Sequence, residues 1–332
     1  GTYGSVRGLA IDSKNNIYAA GYGYNLISST SAVDWAIKKF DSNGVEDTIH
    51  WNKVFGGTGT EFPTSIATDS NDNVYVVGTG YNLVSSSSGN DWWIKKFNRN
   101  GTEYLANWNK MYDGAGGTDY IESVAIDSND NVYVAGWGTN LASGSSITDI
   151  WVKKFNSNGI EDITNWNKIF DNGLWDSSAE LAIDSNNNVY LAGTAENLVS
   201  SSSGYDWMIK KFNSNGVEDT VNWNKKYDGA GLDDIITSIV IDSSNNVYVG
   251  GEGWHLVSDA PGSTSGYDWW IKKFDSTGAE DTVNWNKMYD GANAYDIVQS
   301  LSVGDSGSSL YAAGTTTLQN GLNILIKKFT LN

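Results

Sequence analysis

The chain has 332 residues with 21 basic and 39 acidic side chains, and its formal net charge of -18 would repel a nucleic-acid backbone. It contains no cysteine and only two histidines, which excludes disulfides, thiol nucleophiles and Cys/His zinc sites. With 15 Trp and 18 Tyr the chain is too aromatic to be disordered, and no apolar run approaches the roughly 20 residues that span a bilayer. We therefore expect a folded chain with no nucleic-acid partner and no membrane insertion.

One phrase recurs along the whole chain: an aliphatic residue, two lysines and a phenylalanine. The phenylalanines are Phe40, Phe97, Phe155, Phe212, Phe274 and Phe329, at spacings of 57, 58, 57, 62 and 55 residues. A fixed period of this size is typical of repeat architectures. We predict one domain, 1–332, built from six units: 1–57, 58–114, 115–172, 173–229, 230–291 and 292–332.

Each unit holds short β-rich runs separated by turn residues, most clearly in the third unit. In chain order the predicted strands there are run A (123–126), run B (131–135), run C (150–155) and run D (166–170). The polar residues 127–130 favour a tight A–B hairpin, and Gly159 suits a positive-φ position in the C–D turn. No stretch shows sustained helical spacing, so we predict an all-β chain.

Four strands in each of six units predict a six-bladed β-propeller. Run C carries large apolar side chains on both faces, such as Trp92 and Trp93 in the second unit, as expected of a sheet covered by other sheets on both sides. We therefore expect most tryptophans to form core. The sequence ends three residues after Phe329, so the sixth blade is predicted to lack its own outer strand.

The repeat resembles the bacterial β-propeller repeat family called SBBP. The matching residues in the second unit are Gly56, Gly57, Glu61, Ser65, Ile66, Asp69, Asn73, Val74, Tyr75, Val76 and Gly78. One departure is that Asp72, Asp130 and Asn187 stand where the family commonly has glycine. The resemblance implies a propeller, often on exported or surface proteins, and implies no reaction. The chain begins without Met, which also suggests a processed, exported product.

The predicted open edge of the sixth blade is a candidate assembly site. It consists of Ile324, Leu325, Ile326, Lys327, Lys328 and Phe329. A strand of another chain could pair there, by self-association or with a different protein. The alternative is an ordinary three-stranded last blade.

Aromatic residues that break the repeat are predicted to contact a protein partner or a glycan from the loops around runs A and B. They are Tyr22, Tyr24, Tyr81, Trp137, Trp254 and His255 after run B, and Phe62, Tyr120, Trp175 and Tyr295 before run A. The alternative is that these rings only fill gaps between loops.

Acidic residues recur before run A, at Glu61, Asp119, Asp176, Asp234 and Asp296. We predict that they crowd at one channel mouth, where they would need a cation such as calcium or hydrogen-bonding partners. The alternative is that each accepts hydrogen bonds from its own loop. A second set opens run C, at Asp34, Asp91, Asp149, Asp206 and Asp268. The Asp-x-Asn-x-Asn spacing from Asp127 lacks the glycine and distal Glu of a calcium loop.

No catalytic residues are predicted, because catalytic groups must be singular and the conspicuous acids repeat. A glycoside hydrolase using Glu196 and Glu252 is a remote alternative, since such enzymes need only two opposed carboxylates. We predict a noncatalytic binding or assembly module, extracellular or on the cell surface, without a cofactor other than calcium. The alternative, ahead of the hydrolase, is a carbohydrate-binding propeller that uses the loop aromatics.

Overall fold

The structure, a computed structural model, describes residues 4–28, 32–56, 59–142, 147–229, 231–256, 266–290, 295–304, 307–318 and 321–331. The chain divides into two compact units, Gly1–Gly173 and Leu174–Asn332. Each unit contains three antiparallel sheets. None of the helices in the described ranges is long and apolar enough to cross a membrane.

The first unit contains twelve strands in three four-stranded sheets. The first sheet is β1 (Gly4–Ile11), β2 (Ile17–Tyr24), β3 (Val33–Phe40) and β4 (Lys53–Phe55). The second is β5 (Glu61–Thr68), β6 (Val74–Tyr81), β7 (Asn90–Phe97) and β8 (Lys110–Tyr112), with the short helix α1 (Leu105–Trp108) before β8. The third is β9 (Asp119–Ile126), β10 (Val132–Gly138), β11 (Asp149–Phe155) and β12 (Lys168–Phe170).

The second unit contains two four-stranded sheets and one three-stranded sheet. The first of these sheets is β13 (Asp176–Ile183), β14 (Val189–Glu196), β15 (Tyr205–Phe212) and β16 (Lys225–Tyr227). The next is β17 (Asp234–Ile241), β18 (Val247–Trp254), β19 (Tyr267–Phe274) and β20 (Lys287–Tyr289). The last is β21 (Ile297–Gly304), β22 (Ser309–Leu318) and β23 (Gly321–Thr330).

In every sheet the strands pair in chain order, each with the one before it. The fold is therefore an all-β six-bladed propeller with four-stranded antiparallel blades, which confirms the predicted fold class. The sixth blade has three strands among the described residues, as the sequence predicted.

The strand bounds differ from the sequence prediction in two places. The innermost strand is longer than run A, because β9 begins at Asp119 and continues through a bulge between Ile121 and Ser123. The fourth strand is shorter than run D, because β12 covers only Lys168–Phe170. Trp166 lies ahead of that strand, and its ring is fully buried.

The A–B hairpins explain the departure from the SBBP pattern. Asp72, Asp130 and Asn187 have φ of 60°, 60° and 61°, so they occupy the left-handed conformation that glycine adopts easily. The Asp130 carboxylate also accepts hydrogen bonds from the amide and hydroxyl of Ser70, in the hairpin of the preceding blade. A polar side chain at this position therefore joins two hairpins, which glycine could not do.

The core of each unit lies between successive blades. In the first unit, Trp35 and Ile37 of the first blade pack with Ile66, Val74 and Trp93 of the second, and the Trp35 and Trp93 rings are 4.9 Å apart. In the second unit a corresponding cluster contains Trp207, Trp270 and Phe274. Most tryptophans are therefore core, as predicted, and each could contribute several kcal/mol through its buried area, at roughly 25 cal/mol per Å².

Candidate functional site

Among the described residues, aspartates form groups that join the end of one blade to the first strand of the next. Triad 1 is Asp91, Asp113 and Asp119; triad 2 is Asp206, Asp228 and Asp234; triad 3 is Asp268, Asp290 and Asp296. In each triad one carboxylate oxygen from every residue lies within 4.8 Å of the other two. The structure thus brings together the two acidic sets that the sequence singled out, separately in each triad, and adds a third residue.

That third residue was missed by the sequence analysis. Asp113, Asp228 and Asp290 follow directly after the fourth strand, in a recurring Tyr-Asp-Gly phrase. The recurrence of this phrase in the sequence could have identified the third aspartate. Of the other predicted acids, Asp176 opens β13 and is buried, and Glu61 opens β5 and is buried.

Local hydrogen bonds hold part of each carboxylate in triad 1. Asp91 Oδ2 accepts from the amide of Leu83 (2.6 Å) and the hydroxyl of Ser88 (2.7 Å). Asp119 Oδ2 accepts from the amide of Gly114 (2.7 Å). Asp91 Oδ1 and Asp119 Oδ1 are buried, and neither accepts a hydrogen bond from the part of the chain that the structure describes. A local hydrogen bond therefore anchors one oxygen of each residue.

Burial makes the charged forms of Asp119 and Asp234 unfavourable. It raises the pKa of Asp119 to about 6, and the charges of Asp113 and Asp91 add to the effect. Burial likewise raises the pKa of Asp234 to about 7, with smaller additions from the charges of Asp228 and Asp206.

Asp127 takes no part in such a group. Its carboxylate accepts hydrogen bonds from the amides of Asn129 and Asn131, from the Asn131 side chain and from the Tyr133 hydroxyl. The Asp-x-Asn-x-Asn phrase is therefore a hairpin motif whose acceptors are used within the turn.

Several predicted loop aromatics pack against one another. The Tyr120 and Trp137 rings are 4.7 Å apart, and Trp137 Nε1 donates to Glu122 Oε1 at 3.1 Å. Tyr22 contacts Phe62 at 5.0 Å between ring centroids. These four half-buried rings therefore pack in two pairs near the strand ends.

The remaining predicted aromatics are more exposed. Tyr24, Tyr81, Trp175 and Tyr295 are 42–56% exposed. Trp254 stacks on His255 and meets the edge of Tyr267, which in turn lies 5.5 Å from Tyr295. Tyr267 was not predicted. The second unit therefore carries an aromatic cluster of Trp254, His255, Tyr267 and Tyr295.

Glu252 and Glu196, the pair considered for hydrolysis, lie on different strands. Glu252 is buried in β18 opposite Trp269, and no described residue donates a hydrogen bond to its Oε2 atom. Burial raises its pKa to about 7. Glu196 ends β14 opposite Tyr205, and its amide donates to the carbonyl oxygen of Trp175.

The predicted assembly edge is β23, which pairs only with β22 among the described strands. Ile324 and Ile326 are 84% and 68% exposed. Beside this strand lies a pocket whose lining includes Lys273, Trp285 and Phe329. The last blade thus presents exposed apolar side chains on a strand that is the edge of its sheet among the described strands.

Comparison with known proteins supports the fold. The sequence profile of the SBBP β-propeller repeat matches residues 53–83, 104–141 and 226–256, so the resemblance read from the sequence is confirmed in these three segments. No curated protein sequence matches the chain.

Solved structures of low sequence identity share the architecture. The α-L-arabinofuranosidase Arb93A from Fusarium graminearum is 11% identical, with a TM-score of 0.58 over 99% of this chain and 93% of that one. The α-L-arabinanase from Penicillium chrysogenum is 9% identical, with a TM-score of 0.52 over 99% and 93%. The β-propeller domain of the Trilobed protease from Pyrococcus furiosus, which has an open velcro topology, is 9% identical, with a TM-score of 0.51 over 99% and 84%. At such identities the likeness shows the fold alone.

Proposed function

We propose that this protein is a noncatalytic binding and assembly module, extracellular or on the cell surface, whose last blade binds the first blade of a second copy. The exposed apolar face of β23 carries this proposal. A head-to-tail contact of this kind uses two different surfaces, so it builds rings or open filaments.

The packing of the first blade on the second shows which side chains cover the outgoing face of a blade. Trp35 and Ile37 on the outgoing face of the first blade are fully buried against Ile66 and Val74 on the incoming face of the second. By repeat alignment, Ile324 and Ile326 occupy the positions of Trp35 and Ile37. The last blade therefore has the outgoing face of an ordinary blade, yet both isoleucines are largely exposed.

A second copy offers the matching incoming face. Leu9 and Ile17 in the first blade occupy the positions of Ile66 and Val74, and they are 65% and 37% exposed. Large exposed apolar patches mark interaction sites in soluble proteins. Among the described strands β23 is the edge of its sheet, and a strand of the partner could pair with such an edge.

Sedimentation velocity over a range of concentrations tests the proposal. We expect mass to rise with concentration, and Ile324→Lys with Ile326→Lys to leave a monomer. The control is Val217→Lys with Val221→Lys in the same unit, at positions 62% and 88% exposed, which should associate like the parent.

A mixture of two variants, each altered on one of the two faces, tests whether the contact is head-to-tail. Leu9→Lys blocks only the incoming face, and the Ile324/Ile326 variant blocks only the outgoing face. Each alone should be monomeric, and the mixture should stop at dimers. Monomers at every concentration of the parent protein, or equal loss of association in the control, would contradict the proposal.

Carbohydrate binding is the second candidate, favoured by the aromatic cluster of the second unit. Exposed rings such as Tyr295 can stack on sugar faces. A glycan array should then give a signal that Trp254→Ala abolishes, whereas an array without signal would remove this candidate. A glycoside hydrolase would instead show turnover on a glycoside panel that Glu252→Gln abolishes.

A further inference from the structure

We propose that each aspartate triad binds one Ca²⁺ ion, which ties the third strand of one blade to the loop and first strand of the next. This cation site is independent of the proposed assembly surface. Asp91, Asp113 and Asp119 of triad 1 come from these three places in turn, and triad 2 repeats the arrangement.

The spacing of the oxygens fits one ion. Calcium binds 6–8 oxygen ligands at about 2.3–2.6 Å, so two ligands on opposite sides of it lie roughly 4.6–5.2 Å apart. The three carboxylate oxygens of each triad are within 4.8 Å of one another, and all three can therefore touch the same ion. Hard oxygen ligands of this kind suit calcium rather than a transition metal.

Unsatisfied buried oxygens are the second observation. Asp91, Asp119 and Asp206 are fully buried, and among the described residues none donates a hydrogen bond to their Oδ1 atoms. A buried polar atom without a partner costs free energy, and a buried carboxylate costs more. Backbone amides donate hydrogen bonds to the Oδ2 atoms of Asp91, Asp119 and Asp206. Hydrogen bonds from the loops therefore account for one oxygen of each carboxylate and leave Oδ1 to be explained.

Triads 1 and 2 also lack a counter-charge among the described residues. Within the described ranges, no lysine, arginine or histidine forms an ion pair with an aspartate of triad 1 or triad 2. Each triad carries up to three negative charges in a chain whose net charge is already -18. A divalent cation would offset most of the local repulsion.

Glycines leave room for these carboxylates. A Cβ at Gly138 would lie 2.0 Å from Asp119 Oδ1, and one at Gly253 would lie 2.3 Å from Asp234 Oδ1. The chain also contains a natural contrast, because Gly56 stands between the first two blades where Asp113 stands between the next two. That junction keeps Asp34 and Glu61 but lacks the third carboxylate.

Calorimetric titration of the EDTA-treated full chain with CaCl2 tests the proposal, with native mass spectrometry to count ions. We expect saturable binding of more than one ion and a higher melting temperature, neither of which NaCl of equal ionic strength produces. Mg²⁺ should bind more weakly, because it demands ligands at about 2.0–2.1 Å in octahedral geometry.

Variants assign the ions to the triads. Asp113→Asn with Asp228→Asn should reduce the stoichiometry by two ions. Asp41→Asn with Asp275→Asn is the charge-matched control, because both residues lie in C–D turns where the second blade has Asn98. This control should bind as the parent does.

Hydrogen exchange on the unmodified protein gives a test without substitutions. Calcium should slow exchange in the loops 113–119 and 228–234. The proposal is overturned if CaCl2 gives no saturable binding, if Mg²⁺ binds as tightly, if the double variant keeps its full stoichiometry, or if protection appears only outside these loops.

Discussion

Trp108 Nε1 donates a hydrogen bond to the carbonyl oxygen of Ser157, 49 residues further along the chain, at 3.3 Å. The bond crosses from the second blade to the C–D turn of the third. The ring also packs on Tyr75 and Phe155, so one side chain joins hydrogen bonding and packing at a blade junction.

Replacing Trp108 should therefore destabilise the first unit. We expect Trp108→Phe to lower its free energy of unfolding by about 2 kcal/mol, and Trp108→Ala by about 3–5 kcal/mol, because a cavity is added to the lost hydrogen bond. Urea unfolding measures this. Trp175→Phe, at a position 42% exposed, should change little, and equal effects at the two positions would refute the argument.

The polar residue at the positive-φ position of each hairpin gives a second prediction. Asp130→Gly should destabilise the first unit by about 1–3 kcal/mol, because the hydrogen bonds to Ser70 are worth more than the relief of a left-handed conformation. Asn15 has φ of 61° but caps no preceding hairpin in the described structure. Asn15→Gly should therefore be neutral or slightly stabilising in the same urea assay, and a loss at Asn15 equal to that at Asp130 would argue against the interblade role.

A lysine–glutamate ion pair recurs beside run C, and we expect it to stabilise the fold more where its side chains are more buried. Lys95 and Glu103 are 2.6 Å apart, with side chains 4% and 16% exposed. Glu103→Gln leaves a buried ammonium without its anion and should cost about 3 kcal/mol. The matched pair Lys38 and Glu46 is also 2.6 Å apart, with side chains 36% and 31% exposed, so Glu46→Gln should cost less than about 1 kcal/mol. Thermal or urea unfolding that ranks the two changes in the opposite order would contradict this.

Glu252 should make the stability of the second unit depend on pH. Burial raises its pKa from 4.5 to about 7, so between these values the folded state binds a proton that the unfolded state has released. Its contribution to stability is therefore present below about pH 4.5 and is lost as pH rises through about 7.

Thr79 and Thr194 occupy the position of Glu252 in two other blades, so Glu252→Thr is a natural replacement. We compare the free energy of unfolding of this variant with that of the parent. The difference in favour of the variant should be up to about 3 kcal/mol larger at pH 8 than at pH 5. Urea unfolding at the two pH values measures the change, and Glu252→Gln should behave similarly. A difference between variant and parent that does not vary with pH would exclude ionisation of Glu252 as the cause.

Much of the fold could be predicted because its signals are local. The Lys-Lys-Phe phrase and the polar hairpins recur with a fixed period, and each unit repeats the same local choices of strand and turn. The bounds of the fourth strand were predicted less well. Trp166 looks like a strand residue, but its ring is buried ahead of β12, and tertiary packing decides where the short strand begins.

The candidate site was only half predictable. Asp91 and Asp119 were noticed as separate sets, yet only the pairing of strands and the path of the loop bring them within reach of Asp113. Likewise, the loop aromatics look alike in the sequence, but Trp137 is packed on Tyr120 whereas Trp175 is exposed.

The sequence by itself determined the repeat, the all-β class and the order of strands in each blade, because short-range preferences for strands and turns are repeated along it. The tertiary structure decided which of the equivalent positions in different repeats lie in the core and which lie on the surface. Ile37 is fully buried and Ile326 is 68% exposed, although each stands before the same Lys-Lys-Phe phrase. Packing of the second blade buries Ile37, and such contacts between residues about one repeat apart exist only in the folded chain.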